Sequence, residues 1–214
     1  MSISMSNIIC VTNRRLCRTN FLYQIEKIAE AGPMAIILRE KDLSREEYRN
    51  LAKSVLSICK KYETPCIIHS FVNVAKELHV NALHLPLSIL RTLPNEEKGA
   101  FKILGASCHS VEEAQAAEAL GCTYITAGHI FDTDCKKGLP GRGLEFLKRV
   151  CNSVSIPVYA IGGITQQNLS EVMASGAAGA CVMSAAMLAK DPRTYILKLK
   201  CQNHLQSEFN LDRV

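Results

Sequence analysis

Two stretches of this 214-residue chain carry side chains suited to chemistry. The first is Gly128-His129-Ile130-Phe131-Asp132-Thr133-Asp134-Cys135-Lys136-Lys137-Gly138. It is long, polar and rich in donors, as functional loops are. An imidazole changes charge near neutral pH, so His129 can transfer a proton. Thr133, Lys136, Lys137 and Arg142 can hold anions, with plain solvation as the alternative for one or more of the cations. The second stretch is Ala160-Ile161-Gly162-Gly163-Ile164, with Val182-Met183-Ser184-Ala185 further on. Paired glycines let backbone come close to a ligand, and exposed N–H groups suit phosphate. A tight turn is the alternative reading of the glycines. With Ser184 and Ala185 beside them, Gly162 and Gly163 are expected to bind phosphate.

Further candidates end other apolar runs. Arg39-Glu40-Lys41 offers two cations, and Arg39 can grip a carboxylate with both prongs unless Glu40 or Asp42 pairs with it first. His69 and His84 stand open between a site role and a hydrogen-bonded wall role. His109 follows Cys108, a thiol that nothing in the spacing activates, so Cys108 is read as packing. His79 and His204 are read as surface residues on helices.

Something must bring these scattered residues together. Eight short apolar runs precede them: Ile8–Thr12, Met34–Arg39, Cys66–His69, Ala82–Leu85, Ile103–Cys108, Thr123–Ala127, Val158–Ile161 and Ala180–Met183. They recur about every 25 residues, the length of one strand–helix unit. They are apolar throughout rather than alternating, as strands of a covered parallel sheet are. Ser44 with Glu47 predicts a capped helix to about Tyr62, and Ser110 with Glu113 opens another that stops at Gly121. Helices are also expected over Gly143–Asn152, Gln166–Ser175 and Pro192–Gln202, and a brief one between the third and fourth runs. The pattern predicts a single (β/α)₈ TIM barrel, one domain over 1–214 with the last ~10 residues frayed. Barrel chemistry gathers at the C-terminal strand ends, with phosphate held by the loops after strands 7 and 8 and a short helix.

Composition narrows the function classes. Hydrophobic residues make up 48% and charged residues 21%, and the net charge of +5 is scattered. That argues against nucleic acid as a partner, which asks for a clustered basic stripe. The apolar runs are strand-sized, so no membrane span is expected. Ten cysteines, none in a CxxC pair or at zinc-ligand spacing, point to a reducing, cytoplasmic setting with no metal centre. No cofactor is expected, the partner is a small phosphorylated ligand, and a homo-oligomer is left open.

Together these motifs resemble the superfamily of thiamine phosphate synthases and TenI-like thiazole tautomerases over residues 7–190. The carriers are Val11-Thr12-Asn13, Leu38-Arg39-Glu40-Lys41, Gly105-Ala106-Ser107-Cys108-His109-Ser110, the Gly128–Gly138 loop, Ala160–Ile164 and Val182-Met183-Ser184. In synthases of this kind the third strand ends Asn-Asp and the fourth is followed by His-Leu-Gly-Gln-x-Asp, the acids helping to hold magnesium. Here those positions read His69-Ser70 and His84-Leu85-Pro86-Leu87-Ser88-Ile89. His129 also stands where synthases carry proline. The resemblance therefore implies the tautomerase branch: metal-free isomerisation of a carboxythiazole phosphate to its aromatic tautomer. In that scheme His129 is the acid, and His109, water or the phosphate is the base. Arg39, or secondly Lys137, holds the carboxylate. The substrate set is Arg39, Lys41, Thr133, Lys137, Gly162, Gly163, Ser184 and Ala185. The alternatives are a magnesium-dependent synthase that joins a pyrimidine diphosphate to a thiazole phosphate, and a ligand-binding relative without catalysis.

Overall fold

The computed structural model describes residues 7–133, 136 and 138–209, with side chains described to residue 201. The apolar runs become strands because a parallel strand covered on both faces has no place for water. They are β1 (Ile8–Val11), β2 (Ala35–Leu38), β3 (Cys66–His69), β4 (Ala82–Pro86), β5 (Ile103–Cys108), β6 (Tyr124–Gly128), β7 (Val158–Ile161) and β8 (Gly179–Val182). Each pairs in parallel with the next, and β8 pairs with β1, closing the barrel. The sheet has no free edge, and the expected (β/α)₈ barrel is the fold.

Helices cover the outside: α1 (Phe21–Glu30), α2 (Arg45–Lys61), α3 (Val72–Glu77), α4 (Leu87–Thr92), α5 (Asn95–Gly99), α6 (Val111–Ala119), α7 (Gly143–Ser153), α8 (Leu169–Ala174), α9 (Ser184–Leu188) and α10 (Pro192–Phe209). The capping box of α2 forms in both directions, Ser44 taking the Glu47 N–H and Glu47 taking the Ser44 N–H. Ser110 likewise caps α6. Helix α1 has a plainer signal, since Asn20 alone accepts from Leu22 and Tyr23 N–H. None of the described helices is long and apolar enough to cross a membrane.

Strand parity divides the molecule into two cores. Ile8, Cys10, Ile36, Leu38, Ile68, Leu83 and their like point out and pack beneath the helices. Ile9, Val11, Ala35, Ile37, Ile67, Tyr124, Tyr159 and Cys181 point in and fill the barrel. Continuing that inward parity past the strand ends reaches Arg39, Lys41, His109, Gly163 and Met183, all of which line one cavity. Gly105 serves this interior directly. A Cβ there would collide with the Tyr124 ring, so the missing side chain is the space Tyr124 occupies.

Candidate active site

The cavity opens at the C-terminal ends of the strands and has a volume of about 580 Å³. Of the residues expected from sequence, it gathers Arg39, Lys41, His109, His129, Thr133, Gly162, Gly163, Ser184 and Ala185. Lys137, with Asp134 and Cys135, lies outside the described residues. His69 and His84 belong to the wall as well. His79 does not, falling in a left-handed turn after α3. Arg142 stands over the Phe146 ring, outside the cavity lining.

The floor is apolar on one side, with Val11, Ile37, Ile161 and Cys181, and polar on the other. The polar side is a bonded system. His84 sits between Tyr124 OH (2.9 Å from Nδ1) and Ser107 Oγ (2.9 Å from Nε2), and its ring lies 5.7 Å from that of His69. His69 Nδ1 is 2.8 Å from Ser70 Oγ. Burial holds both imidazoles neutral, His84 down to about 3 and His69 down to about 2. For His69, the charges on Arg39 and Lys41 add to the effect of burial. Such groups read hydrogen-bonding edges; they do not supply charge. Thr126 and Tyr124 escaped notice in the sequence. Their signal was a polar atom at an inward position of an otherwise apolar strand.

The rim carries the charge. Arg39, Glu40, Lys41 and Asp42 alternate in sign, and neighbours of that kind usually neutralise one another. The structure sends the two acids elsewhere. Glu40 is buried and accepts from Thr12 Oγ1 at 2.6 Å and from Arg14 N at 3.0 Å. Asp42 takes both Arg14 nitrogens, at 2.6 and 2.8 Å, and the Arg15 guanidinium at 2.7 Å. Hydrogen bonds from Arg14 push the Asp42 carboxyl down to about 2. Arg39 and Lys41 are left without an acidic partner among the described residues. Burial, then the charges of Arg39 and Lys136, lowers the Lys41 ammonium below its ordinary range. A cation held near other cations favours an incoming anion.

Across the mouth, Gly162 and Gly163 take φ of 100° and 65°, which L side chains avoid. A Cβ at Gly162 would run into His129, and one at Gly163 into Phe131 and Asp132. The glycines thus let the loop after β7 lie against the loop after β6, with backbone facing the cavity. Ser184 and Ala185 open α9, whose cap residue Met183 makes no side-chain hydrogen bond to it.

Two histidines stand on this side. His109 Nδ1 is 2.8 Å from Gly128 O, and His129 Nε2 is 3.2 Å from Leu139 O. A carbonyl only accepts, so each ring donates through that nitrogen, leaving His109 Nε2 and His129 Nδ1 as acceptors in the neutral form. Burial pushes the Cys108 thiol up to about 12, in keeping with a packing role.

Residues 8–186 match the family described as thiamine monophosphate synthase. The chain belongs to that family. The thiamine-phosphate synthase 2 of Streptococcus pneumoniae is 35% identical over 197 residues, covering 90% of each protein. The thiamine-phosphate synthase of Caldivirga maquilingensis is 37% identical over 163 residues, 76% of this chain and 80% of that one. Among solved structures, a thiamine phosphate pyrophosphorylase from Pyrococcus furiosus superposes with a TM-score of 0.80 at 31% identity, covering 94% and 96% of the two chains.

These likenesses overturn the expected thiazole tautomerase. Relatives 33% to 37% identical over most of the chain are named thiamine-phosphate synthase, which is a transferase and not an isomerase. That expectation rests on Ser70, Ile89 and His129. Neither Ser70 nor Ile89 lines the cavity: Ser70 is turned to His69, and Ile89 is 36% exposed on α4. An acid missing from a position off the wall takes nothing from the cavity itself.

The magnesium that the resemblance associates with synthases does not fit the donors present. Among the described residues no three His, Cys, Asp or Glu side chains converge on a point. The one described carboxylate on the cavity wall is Glu113, and its Oε2 already accepts from His109 N at 2.5 Å. Magnesium asks for carboxylate oxygens in octahedral array.

Proposed function

We propose that this chain is a thiamine-phosphate synthase, a transferase that joins a pyrimidine diphosphate to a thiazole phosphate. One observation carries the reading beyond family likeness. The cavity has two ends suited to anions, a cationic rim after β2 and a backbone-lined pocket after β7 and β8, with a wall part apolar and part polar between.

In the reaction the bond from the pyrimidine methylene to diphosphate oxygen breaks, and its electron pair leaves with the diphosphate. The lone pair of the thiazole nitrogen forms the new carbon–nitrogen bond. Arg39, Lys41 and Lys136 face the departing charge, where fixed cations act most strongly. Gly162, Gly163, Ser184 and Ala185 hold the thiazole phosphate through backbone donors, and Thr133 borders it. Lys137 is the further anion ligand proposed for the same loop. His69, His84 and Ser107 meet the polar edge of a ring lying on Val11 and Ile37. The aromatic thiazole nitrogen has no proton to lose, so His109 and His129 orient the substrates through their acceptor nitrogens. Holding both rings in attacking geometry supplies much of the rate.

Incubating the protein with both substrates and following thiamine phosphate and released pyrophosphate tests this directly. Stoichiometric release of the two is expected. Binding of both substrates without product would overturn it. That outcome would leave a relative that binds the phosphorylated thiazole without joining it.

A further inference from the structure

We propose that the diphosphate site of this chain works with fixed protein cations and without a divalent metal ion. The inference rests on the reading above for the identity of the diphosphate; its physical basis is the charge inventory of the rim. Among the described lining residues Arg39, Lys41 and Lys136 are the basic groups of the rim and Glu113 is the single carboxylate. Glu113 follows β5, three strands round the ring from the end of β2, and it is engaged by the His109 N–H.

Glu40 and Asp42, the acids nearest in sequence to Arg39 and Lys41, are held by Thr12, Arg14 and Arg15. A divalent cation entering here meets three like charges and few hard oxygen ligands. A diphosphate meets the opposite. Guanidinium and ammonium groups bind phosphate oxygens by charge-assisted hydrogen bonds, which is the service a bridging metal otherwise performs.

The test is binding of inorganic pyrophosphate to the whole protein by calorimetry, once with EDTA and once with excess Mg²⁺. The expected affinity in EDTA equals or exceeds that in Mg²⁺, and Arg39→Gln weakens the EDTA value about 10- to 100-fold, the worth of a charged hydrogen bond. Pyrophosphate binding that is tenfold or more tighter with Mg²⁺ than with EDTA, on the order of 1.4 kcal/mol, overturns the proposal. So does Arg39→Gln with unchanged affinity and an unchanged melting profile. Metal-free binding of pyrophosphate without any condensation would sink the synthase reading and leave this inference standing.

Discussion

Two sets of basic side chains share the mouth of this barrel, and they are treated in opposite ways. His69 and His84, 4% and 2% exposed, are stripped of charge by burial. Arg39 and Lys41, one layer nearer the solvent, have no acid to neutralise them, because Glu40 and Asp42 are drawn to Arg14 and Arg15. Depth and partner choice, more than residue type, decide whether a basic group offers charge or only a hydrogen-bonding edge.

The largest effect expected from breaking this contrast comes from Glu40. Glu40→Ala leaves the Thr12 hydroxyl and the Arg14 N–H without their acceptor. It should cost about 3 kcal/mol in denaturant unfolding, as broken buried charge contacts do. Asp42→Asn, at an exposed pair, should cost clearly less. Equal losses would show that the buried carboxylate is no keystone of the rim.

Next in size is Arg39→Gln, for which kcat/KM of the condensation should fall about 10²-fold, the value of one charged contact to the leaving group. Lys41→Gln should cost less. An effect confined to KM would mean that Arg39 binds ground state and transition state equally.

The histidines should reveal themselves by acid. An unfolded histidine titrates near 6.5, whereas His69 and His84 resist protonation down to about 2 and about 3. Above pH about 6.5 both states are neutral and nothing is contributed. Below it the unfolded chain takes protons that the folded one refuses, so stability falls as pH drops towards the folded values. The slope is about 1.4 kcal/mol per pH unit for each histidine. His84→Gln should remove one histidine's share, roughly half of the combined slope, between pH 6 and 4, read from denaturant midpoints; an unchanged slope would assign it to other groups.

The smallest effect falls on the residue that drew most attention in the sequence. If the condensation moves no proton at His129, then His129→Asn removes little beyond the contact to Leu139 O, about 1 kcal/mol or fivefold in rate. A loss of 10²-fold in kcat would instead mark a proton-transfer step.

The strands were legible because a covered parallel sheet writes itself as apolar runs, and Cys66–His69, Ile103–Cys108 and Val158–Ile161 match the structure residue for residue. Their termini shifted elsewhere: Thr12 and Arg39 lie just past the ladder, and Pro86 and Gly128 extend it. Most of the cavity could be read from strand ends alone. The function of Glu40 could not, because its partners Thr12 and Arg14 are brought to it only by the β1–β2 pairing. Glu113 was visible only as a cap partner of Ser110, although it also borders the cavity. The choice of branch failed for a related reason. A substitution says which atom is lost, while the path of the chain says whether that atom ever faced the ligand.

The alternation of inward and outward residues has a consequence for how such a barrel can change over time. Along β2, Ile36 and Leu38 belong to the outer core while Ile37 and Arg39 belong to the cavity. Chemistry and stability are therefore written in the same few residues but on separate faces. Single replacements at inward positions can redirect the ligand while the helices keep their seats. A single insertion within the strand has no such freedom, because it turns every following side chain to the opposite face. The molecule is open to substitution and closed to insertion at the same places, and new substrates are reached by exchanging side chains or lengthening the loops beyond them.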